Sequence, residues 1–327
     1  MTSLSQTAKS VDKTKSQEPR AKNGNLASAR KAKNDEFYTR IEDIQFEVRN
    51  YTDHFDGKTV FCNCDDPEWS NFWRFFRDNF DSLKLKRLVA TYYTQNGQSA
   101  GQLVCHDHHR DANGKVVMTE YPLQGNGDFR SPECVALLDQ ADIVCTNPPF
   151  SLFREYIALL MEKNKQFLVI GDMNAITYKE TFPLIRDNRV WLGCSTPKAF
   201  RTDKVKEVYQ KFGNKCWFTN LTHKRRNTPI PLFRSVNDKD VTYARYDNYA
   251  AINVGKTQDI PENYLGVMGV PISFLFKYNP KQFEIVGMSA NGIVPETMKL
   301  KHFKKHNEPY IGSKKVYQRL FIQRNDK

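Results

Sequence analysis

From Asp35 to about Gly193 the chain alternates short apolar runs with segments whose apolar residues recur at helical spacing, and few folds satisfy that order. Ile41, Ile44, Val48 and Tyr51 keep a helical period until Gly57, and Thr59 to Asn63 then reads as a short buried strand. Phe72, Trp73, Phe75, Phe76 and Phe80 predict a second helix, and Arg87 to Tyr92 a second strand, which completes a β-α-β unit. Gln102 to His108 and Lys115 to Tyr121 flank Asn113-Gly114, a strong hairpin signal that interrupts the parallel pattern. The alternation then resumes. Ser131-Pro132 opens a helix, Asp142 to Thr146 is a strand, Ser151 is expected to cap a helix through Met161, and Phe167 to Ile170 is a strand. Thr177 to Arg186 reads as helical, Val190 to Gly193 as a strand, and Met173 to Tyr178 as a loop between them and the preceding strand. Such an order predicts an α/β fold, an open and mostly parallel sheet with helices on both faces.

Composition narrows the setting. The 327 residues include 13% aromatic side chains, enough for a sizeable core, and no apolar run approaches the ~20 residues of a membrane helix. No secretory signal is recognisable at the start, and the seven cysteines form an odd set without a C-x-x-C pair. We expect reduced thiols, no membrane, and a cytoplasmic protein. The net charge of +12 is concentrated at the ends. Residues 1 to 33 carry eight Lys/Arg against Asp12 and Glu18 and read as a disordered basic tail, while residues 299 to 327 carry nine against Glu308 and Asp326 with aromatics interleaved. Two basic ends on a folded middle point to a nucleic acid as partner. Three regions result: the tail 1–33, an alternating segment 34–194, and a polar region 195–327 in which the periodicity fades.

The sharpest local feature is Asn147-Pro148-Pro149-Phe150, directly after a strand and before a helix. Ligands of open α/β sheets bind at the carboxyl ends of the strands, so the place suits a site. Two prolines fix the backbone and remove two donors, which leaves the Asn147 side-chain oxygen and the Pro148 carbonyl as rigid acceptors. Acceptors of this kind suit the hydrogens of an exocyclic amine, and Phe150 offers a flat face for a base lifted out of its duplex. On residues alone, an ordinary strand-to-helix turn is the competing reading. Cys105-His106-Asp107-His108-His109 holds metal-ligand types, but adjacent strand residues point to opposite faces and cannot converge on one ion, so no metal is expected.

With the tetrapeptide, Asp35-Glu36-Phe37-Tyr38-Thr39, Cys62-Asn63-Cys64-Asp65-Asp66-Pro67, Gly127-Asp128-Phe129-Arg130, Tyr246-Asp247-Asn248-Tyr249 and Ala251-Ile252-Asn253-Val254 occur in order. This set resembles the EcoRI-type adenine-specific DNA methyltransferase family, from about Lys31 to near the C-terminus. The resemblance implies a Rossmann-like methyltransferase fold, S-adenosylmethionine as cofactor and double-stranded DNA as partner, with no obligate protein partner evident. It implies that 34–194 is the catalytic core and that 195–327 serves target recognition and DNA binding, with a return to the core left open. It implies that Asn147, Pro148, Pro149 and Phe150 are catalytic. It also implies that Phe37, Tyr38 and Thr39 close over the cofactor's methionine, that Asp65, Asp66 and Pro67 meet its ammonium and carboxylate, and that Asp128 and Phe129 hold its adenine. Helix capping, a Gly-Asn-Gly turn and a helix entry with core aromatics are the plain structural alternatives for these three segments. Neither a glycine-rich loop nor an acidic residue after Tyr92-Tyr93 is present, so no ribose ligand is assigned. Lys224, Arg225 and Arg226 are expected to contact DNA phosphates. The resemblance suggests GAATTC as target, although Ser195 to Arg234, which would carry recognition, is short and divergent beside the family pattern. An RNA or protein-amide methyltransferase of the same fold, or a non-catalytic DNA-binding protein, are the alternatives.

Overall fold

Among the residues described by the computed structural model (38–94, 101–201, 208–300 and 307–325), the apolar runs pair into an eight-stranded sheet. Its spatial order is Val116–Pro122, Gly101–Arg110, Arg87–Thr91, Thr59–Cys62, Ile143–Thr146, Gln166–Asp172, Lys215–Thr219 and Trp191–Leu192. Four inner strands are parallel, in register through Val60 with Leu88, Val60 with Ile143 and Val144 with Phe167. Their carboxyl ends therefore share one edge. The flanks are antiparallel, the expected hairpin on one side and Lys215–Thr219 with Trp191–Leu192 on the other, so the sheet is mixed and not mostly parallel. The tail 1–33 and Phe37 lie outside the described residues.

Strand periodicity sorts the core into two layers. Val60, Cys62, Ile143, Cys145, Leu168 and Ile170 face the helices Ile41–Val48 and Asn71–Asp78, whose Ile44, Val48, Phe72, Trp73 and Phe76 are buried against them. The intervening Phe61, Val144, Phe167 and Val169 face Phe153–Glu162 and Phe182–Arg186. Each fully buried aromatic or aliphatic side chain is worth about 1.5–3 kcal/mol, so both helical layers are held firmly. A second sheet, ordered Ile252–Asn253, Met268–Val270, Leu320–Arg324, Phe283–Met288, sends Met268, Ile285 and Ile322 into the same apolar cluster as Phe182, Ile185 and Leu192.

Two local expectations change. Ser151 does not cap the next helix: a 3-10 turn, Phe150–Leu152, follows the prolines, and the helix starts at Phe153 with Leu152 in the N-cap place. The helix expected over Thr177 to Arg186 is shorter, because Tyr178 is extended and Pro183 lies in the first turn of Phe182–Arg186. Ser70 and Ser131 do cap, accepting from Phe72 N at 3.1 Å and Cys134 N at 3.3 Å. All seven cysteines are free thiols, and no helix among the described residues is long and apolar enough to cross a membrane.

The far edge of the sheet is pinned by a buried carboxylate. Glu47 accepts from Cys194 N and Ser195 N at 2.7 Å each, from Ser195 Oγ at 2.5 Å and from Tyr51 Oη at 2.7 Å. Its carboxyl is nonetheless pushed up from the ordinary range by burial. A Cβ on Gly193 would stand 2.3 Å from Glu47 Oε1, so only glycine fits there. Beside this knot His223 lies 3.2 Å from Cys194 Sγ through Nδ1 and 3.2 Å from Leu192 O through Nε2.

Burial pushes the His223 imidazole down to about 4, so the folded chain holds it neutral. The unfolded chain binds the extra proton between the ordinary value of about 6.5 and that lowered value; this contribution is intact above about 6.5 and is lost as pH falls, by about 3 kcal/mol on reaching pH 4. Urea unfolding of the wild type and of His223→Gln at pH 7 and pH 4 checks this. The variant is expected to lose that part of the acid sensitivity, and an unchanged slope would assign it elsewhere.

Candidate active site

Three loops meet at the carboxyl edge of the parallel strands. Asn147 follows Thr146 at the end of its strand, half-buried, with its side-chain oxygen shielded from solvent; Pro148 is buried and Pro149 extended. The loop of the neighbouring strand carries Asn63, Cys64, Asp65 and Asp66. Buried Asp65 accepts from Ser70 Oγ at 2.5 Å and from Thr146 Oγ1. One carboxylate thus ties this loop to the residue before Asn147. A hydrogen bond to a carboxylate is stronger than a neutral one, and burial strengthens it further.

Tyr156 joins the third loop. Its hydroxyl donates to Asn63 Oδ1, and its ring meets Phe129 edge-on with centroids 5.1 Å apart. Phe129 is buried within the core cluster. Its neighbour Asp128 accepts from Arg130 at Nε (2.9 Å), Nη2 (2.7 Å) and backbone N (2.9 Å), and this pairing holds its carboxyl below the ordinary range. Tyr38 and Thr39 pair antiparallel with Arg201 and Phe200, and Thr39 O accepts from Asn71 Nδ2 at 2.7 Å, at the start of the helix that follows the Asp65 loop. Asp66 lies in that loop with one carboxylate oxygen on Glu68 N at 3.1 Å, and Pro67 follows it half-buried.

Two buried polar atoms here find no hydrogen-bond partner among the described residues: Asn63 Nδ2, on a side chain 1% exposed, and Thr39 Oγ1, on one 2% exposed. An unsatisfied buried group costs about 1–3 kcal/mol, so each of these two atoms, one in the loop after Thr59–Cys62 and one in the short strand Tyr38–Thr39, is a place where a polar ligand or water would be stabilised.

The basic triplet lies elsewhere, in the 3-10 turn Lys224–Asn227, and only Lys224 is fully exposed. Arg225 donates to Cys194 O, while Arg226 lies 3.9 Å over the Trp191 ring and donates to Asn188 Oδ1 at 3.2 Å. Both arginines are engaged within the chain. The segment Cys105 to His109 runs along a strand, and no group of three His, Cys, Asp or Glu able to hold a metal occurs among the described residues.

Sequence reasoning missed Lys215 and Asp172. Lys215 is 2% exposed, its Nζ lies 2.8 Å from Asp172 Oδ2, and it sits 4.2 Å from the centroid of Phe150. The only sequence signal was the run Cys216-Trp217-Phe218 after Gly213-Asn214, a short buried strand behind a turn.

A family profile described as adenine-specific methyltransferase EcoRI matches residues 25–325. The chain belongs to that family. It is 44% identical over 291 residues to the Type II methyltransferase M.EcoRI of Escherichia coli, covering 81% of this chain and 89% of that protein. It is 38% identical over 317 residues to M.MgeORF184P of Mycoplasma genitalium, covering 90% and 97%, and 40% identical over 280 residues to M.MpnI of Mycoplasma pneumoniae, covering 80% and 85%. Both are also named Type II methyltransferases. No solved structure matches the chain. As an EcoRI-type adenine-specific methyltransferase, the protein carries Asn147 to Phe150 at the end of an inner parallel strand.

The Asp65 tie generates a prediction. Thr146→Val keeps shape but removes the donor, and is expected to lower stability by about 1.5–3 kcal/mol, the worth of a hydrogen bond to a charged group. Chemical denaturation measures it; a neutral result would mean that Asp65 does not brace the turn that begins at Asn147.

Proposed function

We propose that this methyltransferase transfers a methyl group from S-adenosylmethionine to the 6-amino group of an adenine swung out of duplex DNA. In this reading the core is Rossmann-like and residues 195–327 serve target recognition. The observation that carries it is the placement of Asn147-Pro148-Pro149-Phe150 at the carboxyl edge of a parallel strand, next to the loop braced by Asp65.

The residues present fit the cofactor. Asn63 Nδ2 and Thr39 Oγ1 are buried polar atoms that a polar ligand would satisfy. Asp66 would meet an ammonium, Tyr38 and Thr39 would cover the methionine end, and Pro67 would shape the turn. Asp128 would accept from the adenine amine while Phe129 packs on the ring. When bound, S-adenosylmethionine supplies a methyl on a sulfonium, which leaves as a neutral thioether.

The chain's own task is to make a poor nucleophile a good one. An exocyclic amine on adenine delocalises its lone pair into the ring. The Asn147 side-chain oxygen and the Pro148 carbonyl accept its two hydrogens, which favours a pyramidal nitrogen with the lone pair free, and Phe150 stacks on the base. Preorganised acceptors of this kind act in a water-excluded site, where they are worth more than in water. The nitrogen gains a carbon and sheds one proton to solvent. Lys224 and the basic residues beyond 299 supply attraction to the phosphate backbone, which positions the duplex without reading sequence.

Asn147→Ala is expected to reduce turnover by about 100-fold or more, as loss of a single preorganised transition-state partner does, and to leave S-adenosylmethionine affinity intact. Single-turnover methylation beside calorimetric cofactor titration decides it; near-normal turnover removes Asn147 from the chemistry. In the same titration Asp128→Ala is expected to weaken cofactor binding about 10- to 100-fold. An unchanged dissociation constant would make Asp128 solely the partner of Arg130.

A further inference from the structure

A lysine buried to 2% exposure beside the catalytic turn calls for an explanation. Lys215 opens the strand Lys215–Thr219 and stands in register with Asp172, the last residue of the strand adjoining Ile143–Thr146. Its ammonium therefore lies at the same edge as Asn147. Asp172 Oδ2 holds Lys215 Nζ at 2.8 Å and Asn214 Nδ2 at 2.6 Å, while Oδ1 accepts from Asn174 N at 2.8 Å. The carboxylate is fully engaged, and the cation is anchored with it. From that anchor Lys215 Nζ reaches 4.2 Å from the Phe150 centroid and 5.6 Å from that of Phe212, and Phe200 meets Phe150 edge-on at 6.4 Å.

Stability alone does not account for this arrangement, since a buried ion pair is seldom worth more than apolar residues of the same volume. The geometry suits a different task. An ammonium within about 6 Å of an aromatic centroid is attracted to the negative face of the ring, more strongly when both are out of water. It draws π density toward itself and fixes the tilt of the ring, and a ring so polarised repels the π face of a stacked base less. Resting on the proposed function of Phe150, we infer that Lys215 is a positioning residue: its ammonium, held by Asp172, sets the plane of Phe150 so that the extruded adenine stacks on the opposite face of the ring.

The test uses the full chain with cofactor and a duplex carrying 2-aminopurine in place of the adenine that the enzyme methylates, so that fluorescence reports extrusion. The neutral pair Lys215→Met with Asp172→Asn avoids leaving a lone buried charge. It is expected to unfold cooperatively and to keep the wild-type cofactor affinity, to disfavour extrusion about 10-fold, and to lower kcat/KM by a similar factor. In a Phe150→Ala background the same two substitutions are expected to have no further effect, because the cation acts only through the ring. Should the neutral pair fail to fold, Lys215→Arg keeps the charge and is expected to retain extrusion, whereas loss of extrusion in a folded Lys215→Arg would contradict the proposal. Wild-type extrusion by the neutral pair, or an equal loss with and without Phe150, would overturn it. If the wild type extrudes no base, or Asn147→Ala still methylates, the reading of the site itself fails; if only the coupling to Phe150 is missing, the assignment of Lys215 fails alone.

Discussion

The bond between Asp65 and Thr146 is the contact on which the site depends. Parallel pairing brings the two strands side by side and ends them on one edge, but it leaves their loops free to diverge. Asp65 closes that freedom by taking Thr146 and Ser70 on one buried carboxylate, which fixes Asn147 against the loop of Asn63. Tyr156 then carries the same order to Phe129. A methyl transfer that needs the amine, its acceptors and the donor aligned to a fraction of an ångström gains most from such bracing.

The same device recurs at the sheet's other side. Glu47 gathers Cys194 and Ser195, and Asp172 gathers Lys215, Asn214 and Asn174, each within the folded interior. These three carboxylates differ from the exposed pairs of the surface, such as Lys84 with Asp56, which are screened and contribute little. Buried acids cost desolvation and are retained where several donors converge on them.

Much of this was legible beforehand, for identifiable reasons. The parallel strands were visible because strands buried on both faces are continuous apolar runs, and the hairpin because Asn113-Gly114 sits between two alternating segments. The place of Asn147 to Phe150, directly after a buried strand, was visible because the apolar run Ile143–Thr146 ends there. What escaped was non-local. Lys215–Thr219 begins with a charge, and only its pairing with Gln166–Asp172 reveals that the charge is buried. Nor does a sequence show that Cys194 lies beside Arg225, or that Asn188 and Trp191 lie beside Arg226. Ser151 is an adequate capping residue one step too early, displaced by the turn that the two prolines impose.

Methylation of the 6-amino group of adenine in duplex DNA, as proposed for this edge, can be read out directly. Duplex DNA is incubated with the purified chain and S-adenosylmethionine labelled in the methyl group, then digested to nucleosides and analysed by mass spectrometry. The expected result is label in N6-methyladenosine of the deoxy series and nowhere else. Label on cytosine, on the protein alone, or on no nucleoside would contradict the account.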